Sequence, residues 1–462
     1  MTSMGVLNPN DRGPVGVFHD RPTLILAVLA LLPIVSISIL GRYYSSLLEG
    51  IAPVDLTNFR ATSNMLRGVF RMSDAGDSWL PMREALNVLR SDQADHLYEI
   101  LFFTKTIRFQ YPPTSLLPLQ SLAAIGFSTR GALSTINFSF YCLNAIAVAV
   151  VAWQLFGQAY QTAPSEPSSS RPHLDAAGVA ALAFILAFMF YPLVRAQVLG
   201  QIQVWIDTLF TFAVICWLRG SRFCSGVFIG LACTIKPQMA LLLVWGLLWQ
   251  ETLFCAGIVT CAVPLGAISL AYYGLHNHLA YLDVLAFLSR HGESFFANNS
   301  VNGILNGYFS SNDPHVWDAT SLTSYNPIVY AGTLLAALVA ILLLVLPPLL
   351  WRRGTKANIE MFGAASICTV VGSPVAWEHH YGILLPIFFI ALRAALAIPT
   401  GSARTLILAT ILLSWILVAD FIPFTLLLAQ TPFRFAEAHC FLGALLLLFA
   451  LLRTQQPENF RA

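Results

Sequence analysis

Residues 224–249 read CSGVFIGLACTIKPQMALLLVWGLLW. Two apolar runs meet at Thr234-Ile235-Lys236-Pro237 with no loop between them. A lysine in such a stretch is costly, on the order of 3 kcal/mol near a bilayer centre, so it persists only beside a partner, a wet cavity or an interface. The proline gives the structural reading. It cannot donate the next helical hydrogen bond, and it pushes the residue before it out of helical geometry. The stretch therefore reads as two membrane helices meeting at a sharp break, with Lys236 at the junction.

The rest of the chain repeats this pattern. Its 462 residues are 57% hydrophobic and 10% charged, which excludes an ordinary soluble enzyme. Apolar stretches of about 20 residues, the length a helix needs to cross the hydrocarbon core, recur throughout. The reading is an all-α polytopic integral membrane protein. Spans are predicted near 23–43, 131–156, 176–194, 201–218, 223–235, 237–250, 253–274, 326–350, 359–373, 380–398, 405–428 and 438–453. They make about twelve crossings in one domain, 23–453, between tails 1–22 and 454–462. The first stretch has no Ala-x-Ala pattern after it and reads as a retained helix rather than a cleaved signal. The run 113–127 is too short and proline-marked to span, so a re-entrant or half-helix is expected. Net charge +2 without a basic face gives no reason to expect a nucleic-acid partner. The eight cysteines lie in or beside apolar runs, contain no Cys-x-x-Cys pair, and read as small buried hydrophobes.

With 113–127 re-entrant, Arg12, Arg21, Arg171, Arg219, Arg222, Arg352, Arg353, Lys356, Arg404, Arg453 and Arg461 all fall on one side, the cytoplasm by the positive-inside rule. A Pro/Ser-rich segment, 163–172, is a linker on that side. Two larger loops then face outward. The first, 44–111, carries Trp79, Leu80, Met82, Leu86 and Leu89 at helical spacing, which predicts an amphipathic helix on the membrane surface. The second, 275–325, is rich in Asn, Ser, Gly and His.

The unusual polar residues gather on this outer face: Asp55 and Asp77, Tyr111, Arg195, Gln201, Lys236, Asn299, and Glu378-His379-His380. A compact cation at a helix end near the headgroups suits a phosphate, although a lysine that snorkels to anchor the helix is the plainer account. Asp77 and Asp55 could each take a proton from an attacking hydroxyl; each also stands where a helix N-cap would. The adjacent histidines point different ways on a helix and make a poor metal pair. One could reach a cleft as a donor, or both could anchor at the interface. Asp207 lies inside a span, with Arg195 or a helix hydroxyl as its expected partner. Asn298-Asn299-Ser300 matches a weak glycosylation pattern and reads instead as loop lining the same vestibule.

Taken in order, the acidic first loop, Leu97-Tyr98, Phe109-Gln110-Tyr111-Pro112-Pro113, Gly200-Gln201, Gly230-Leu231-Ala232, Ile235-Lys236-Pro237, Asn299-Ser300, Ser373-Pro374 and Trp377-Glu378-His379-His380 resemble glycosyltransferase family 87, the polyprenyl-phosphate-sugar-dependent branch of the GT-C membrane enzymes. The resemblance implies a GT-C-like fold in a bacterial plasma membrane, with the site facing outward. It implies inverting transfer of a hexose, mannose-like, from a polyprenyl-phosphate sugar to a lipid-linked or cell-envelope glycan acceptor. Asp77, or in second place Asp55, would be the general base. Lys236, Gln201, His379, His380, Tyr111, Asn299 and Arg195 would bind substrate, with no cofactor and no metal; membrane lipids are the remaining partners. The competing reading is a lipid or solute transporter or flippase, with Lys236, Arg195 and Asp207 lining a path. A scaffold that has lost catalysis is the third.

Overall fold

A computed structural model describes residues 22–48, 62–70, 76–157, 175–317, 323–350, 357–429 and 431–455. Asp55, the linker 163–172, and Arg12, Arg21, Arg171, Arg352, Arg353, Lys356 and Arg461 lie outside them. Among the described residues every regular element is helical. In chain order they are α1 (Pro22–Leu48), α2 (Thr62–Phe70), α3 (Trp79–Leu89), α4 (Leu116–Ala124), α5 (Arg130–Gly157), α6 (Ala176–Met189), α7 (Tyr191–Leu199), α8 (Gln203–Leu218) and α9 (Arg222–Ile235). There follow α10 (Leu241–Leu248), α11 (Thr252–His291), α12 (Val301–Phe309), α13 (Pro327–Leu350), α14 (Ile359–Val371), α15 (Leu384–Ala397), α16 (Ser402–Val418) and α17 (His439–Thr454).

Among the described residues, five stretches are long and apolar enough to cross a membrane: Thr23–Leu40, Arg130–Gly157, Thr252–His291, Pro327–Leu346 and Glu378–Ala397. The pair α6 and α7, bent by 45°, makes a sixth if read as one broken span. The apolar helices α8, α9, α14, α16 and α17, and the run Pro237–Leu248, are shorter. Apolar side chains such as Leu32, Ile39, Val263 and Leu335 point outward, as a hydrocarbon surroundings permits.

Local chemistry explains the breaks that shape the bundle. Lys236 ends α9 in extended geometry (φ −128°, ψ 98°), as a residue before proline must. Gly200 ends α7 with left-handed φ 68°, freely available only to glycine. Gly274, at φ 75°, kinks α11 and turns its second half away from the first. At the start of α6 the Asp175 carboxylate accepts from the Ala177 and Gly178 N–H groups.

The opening stretch forms a hairpin. Arg222 Nε, at the start of α9, lies 3.5 Å from Glu251 Oε2, just past α10, so both helices return to one level and Lys236 stands at the far turn. The Arg222 guanidinium also lies 3.6 Å over the Trp217 ring and donates to the Trp217 carbonyl at 2.9 Å. From that level α11 runs parallel to α9, and small residues set the closeness. A Cβ on Gly230 would lie 2.8 Å from the Ile258 carbonyl oxygen, and one on Gly226 or Gly257 would strike the Phe254 or Phe223 carbonyl. Gly226-x-x-x-Gly230 is thus a small-residue seam that lets two membrane helices touch backbone to backbone.

Helix α4 has nine residues, about 14 Å at helical rise, and cannot cross a 30 Å core. Thr114 Oγ1, just before it, donates to the Thr234 carbonyl at 2.6 Å, and Gln120 Oε1 within it accepts from the Tyr273 hydroxyl at 2.5 Å. Those contacts hold α4 at the Lys236 end of α9 and of the first half of α11. Helix α3 departs from expectation. It forms where the spacing placed it, but Trp79, Met82, Ala85, Leu86 and Val88 are buried, with Trp79 5.6 Å from Trp205. Its apolar face covers the end of the bundle instead of lying on lipid, because a protein surface that excludes water satisfies the same stripe. All eight cysteines are free thiols, and Cys224 is exposed.

Candidate functional site

At the end of the bundle that holds Lys236, the segment that carries Asp77 and Ser78 is pinned to the α7–α8 corner. The Asp77 and Ser78 N–H groups donate to the Leu199 and Gly200 carbonyls at 3.1 and 3.4 Å. Ser78 is the residue before α3, yet its side chain caps nothing. Its hydroxyl donates to Gln201 Oε1 at 2.7 Å and accepts from the Ile202 N–H at 3.0 Å. The Tyr111 hydroxyl donates to the same Gln201 oxygen at 3.1 Å, and the Tyr111 carbonyl accepts from the Tyr98 hydroxyl at 2.6 Å. Burial pushes the Tyr111 phenol up to about 12, so it stays a donor.

Asp77 is what this scaffold leaves free. Its carboxylate is no helix cap; Gln201 Nε2 donates to it at 3.4 Å. The side chain is exposed on one face while protein crowds it on the others. That crowding raises its carboxyl above the ordinary aspartate range; the Arg195 charge and the Gln201 hydrogen bond pull it partly back.

Behind this rim stand four buried or half-buried charges. Arg195 Nε lies 3.8 Å from Glu378 Oε2, which also accepts from the Tyr191 hydroxyl at 2.6 Å. Lys236 Nζ donates to Gln203 Oε1 at 2.5 Å, and Gln203 Nε2 donates to Asp207 Oδ1 at 2.7 Å. Asp207 therefore does not pair with Arg195; one turn along α8, Gln203 connects it to Lys236. Its other oxygen has no hydrogen-bond partner and packs against the Cα of Gly382, where a Cβ would strike the carboxylate. His379 and His380 share the 3-10 turn Glu378–Ile383, with ring centroids 4.7 Å apart and planes at 86°. The Lys236 charge reaches both rings and the Arg195 charge reaches His379; His380 Nδ1 is buried without a partner.

The structure thus brings together Asp77, Tyr111, Gln201, Arg195, Lys236, His379 and His380. Asn299 has another task. It is fully buried; its Oδ1 accepts from the Cys440 N–H at 3.0 Å and its Nδ2 donates to the Phe296 carbonyl at 3.3 Å. Its N–H donates to the Ala376 carbonyl at 2.8 Å, and the Glu378 N–H donates to Ala297 at 3.0 Å. Asn298 is 2% exposed beside it, so the Asn-Asn-Ser segment is buried against the histidine turn and does not present Asn298 on the surface as a glycan acceptor would be. Four residues of the cluster escape sequence reasoning: Ser78, Tyr191, Gln203 and His439, whose Nε2 lies 4.0 Å from Glu378 Oε1. Only Gln203 carried a signal, its i,i+4 spacing from Asp207.

The sequence profile of glycosyltransferase family 87 matches residues 109–377. The chain belongs to glycosyltransferase family 87. As a member of family 87 it is a membrane glycosyltransferase, which requires a sugar donor and a glycan or lipid acceptor. The family 87 match includes Tyr111, Arg195, Gln201, Lys236 and Asn299; Asp77 and the histidine pair lie outside it and join the site through the contacts above. No curated protein matches the chain.

Proposed function

We propose that this protein transfers a hexose, mannose-like, from a polyprenyl-phosphate sugar to a lipid-linked or cell-envelope glycan acceptor. Transfer takes place at the outer face of a bacterial plasma membrane and inverts the anomeric carbon. Asp77 takes the proton of the acceptor hydroxyl as its oxygen attacks; the lipid phosphate leaves as the glycosidic C–O bond breaks. Lys236, with a histidine of the 379–380 pair, offsets the charge that gathers on that phosphate. Arg195, Gln201 and Tyr111 set the position and ionisation of Asp77, and Asn299 supports the histidine turn. Outside the described residues, Asp55 is the second choice of base. The shorter apolar helices complete about twelve crossings, which keeps Arg219 and Arg222 cytoplasmic and this cluster outside.

The observation that carries this reading is the exposed, uncapped carboxylate of Asp77, which accepts from Gln201 and whose backbone N–H is held by the Leu199 carbonyl, at the same end of the bundle as a lysine suited to phosphate. The test is transfer of labelled mannose from a short polyprenyl-phosphate mannose to membrane glycolipid acceptors by the purified chain in vesicles. Asp77→Asn should lose transfer by at least about 1,000-fold while still inserting and binding donor. Full activity in that variant passes the role of base to Asp55. Vesicle-to-vesicle movement of the donor lipid with no covalent product would favour a flippase instead.

A further inference from the structure

The kinked half of α11 carries a feature that the transfer chemistry does not use. His96 and Glu99, from the first outer loop, meet His276, two residues past the Gly274 kink. His276 Nε2 lies 3.0 Å and His96 Nδ1 4.0 Å from Glu99 Oε1, and one ligand atom from each residue falls within 4.8 Å of the others. The second carboxylate oxygen of Glu99 is shut from solvent without a hydrogen-bond partner. The backbones are already fixed beside the cluster. Asn277, fully buried next to His276, accepts from the Leu97 N–H at 3.1 Å and donates to the Ala94 carbonyl at 2.8 Å.

We propose that His96, Glu99 and His276 bind a divalent transition-metal ion, zinc in the first instance, which clamps the two outer loops together. Two imidazoles and one carboxylate form a borderline donor set of the kind zinc takes, with a fourth position left for water. Tetrahedral zinc at 2.0–2.1 Å per ligand sets donor atoms about 3.4 Å apart, so the exposed rings need to move by only about 1 Å. The clamp bears on the site from a distance. Tyr98, between His96 and Glu99, holds the Tyr111 carbonyl, and the Tyr111 hydroxyl supports Gln201.

The test uses the full chain in nanodiscs, purified through a tag without histidine, exposed to zinc sulfate and then desalted. Bound zinc is measured by plasma mass spectrometry, and thermal unfolding is followed with and without a chelator. The wild type should hold about one zinc per chain and melt at lower temperature after chelation. His96→Ala and His276→Ala, both at exposed positions, should weaken binding by more than about 100-fold, since loss of a mere outer-shell partner costs about 10–100-fold. Their melting temperature should not respond to chelator. Zinc content equal to wild type in both variants, or none in the wild type, overturns the proposal. So does a cobalt-substituted protein whose spectrum carries a thiolate charge-transfer band, which would place the ion on cysteine.

Discussion

Replacing Lys236 by methionine keeps most of the apolar stem of the side chain and removes its charge together with its hydrogen bond to Gln203 Oε1. Coulomb's law sets the magnitude. If the ammonium stands about 4 Å from the departing phosphate, one further negative charge there is stabilised by about 4 kcal/mol at an effective dielectric constant of about 20. Asp207 opposes this from behind Gln203. At about 8 Å it repels the same charge by about 2 kcal/mol. Lys236→Met should therefore slow single-turnover transfer by about 1,000-fold, because it removes the attraction and leaves the repulsion. Adding Asp207→Asn removes the repulsion too, and the double variant should recover to about 30-fold below wild type. The assay is quenched single-turnover transfer from a saturating polyprenyl-phosphate sugar, with size-exclusion profiles to confirm that each variant inserts and stays monodisperse. A defect confined to donor affinity would place Lys236 in ground-state binding alone. Transfer by Lys236→Met within 10-fold of wild type, or a double variant no faster than the single one, refutes the electrostatic argument.

Other contacts carry further expected outcomes. A base must be ionised to accept a proton, so activity should fall on acidification, with its acid limb above the ordinary aspartate range because burial raises Asp77. Arg195→Gln removes the charge that lowers this pKa and should move the limb to still higher pH; a limb that does not move in kcat/KM profiles excludes Asp77 as the titrating group. In the α9–α11 seam, Gly230→Val forces a side chain against the Ile258 carbonyl and Cys261 and should destabilise by about 1–3 kcal/mol, whereas Gly266→Ala, with open space around it, should be silent in denaturant titrations of the detergent-solubilised protein.

Pattern and position in the chain made several features legible before any coordinates. The Lys236-Pro237 break, the short apolar run after Pro113 and the helix beginning near Trp79 are local consequences of proline geometry and hydrophobic spacing, and all three are present. Local signals misassigned what those elements touch. The apolar stripe of α3 satisfies lipid or protein equally well, so its burial against Trp205 was not readable. Asp77 fits an N-cap by position; that it accepts from Gln201 instead depends on where α7 ends. Asp207 and Arg195 are near in sequence, but a helix break intervenes, and each finds a different partner.

The sequence by itself determined that this is a helical membrane protein with a cation at a proline-broken helix end, because bilayer thickness and proline stereochemistry act on neighbouring residues. It also held enough short motifs in order to resemble the family whose profile matches residues 109–377. Only the tertiary structure decided which polar side chains form one cluster, that Asn299 is buried with its amide hydrogen-bonded to the Cys440 N–H and the Phe296 carbonyl, and that His96, Glu99 and His276 converge across 180 residues of chain. Hydrogen bonds and metal-ligand geometry depend on distances of a few ångströms between segments far apart in the chain, and those distances exist only once the helices have packed.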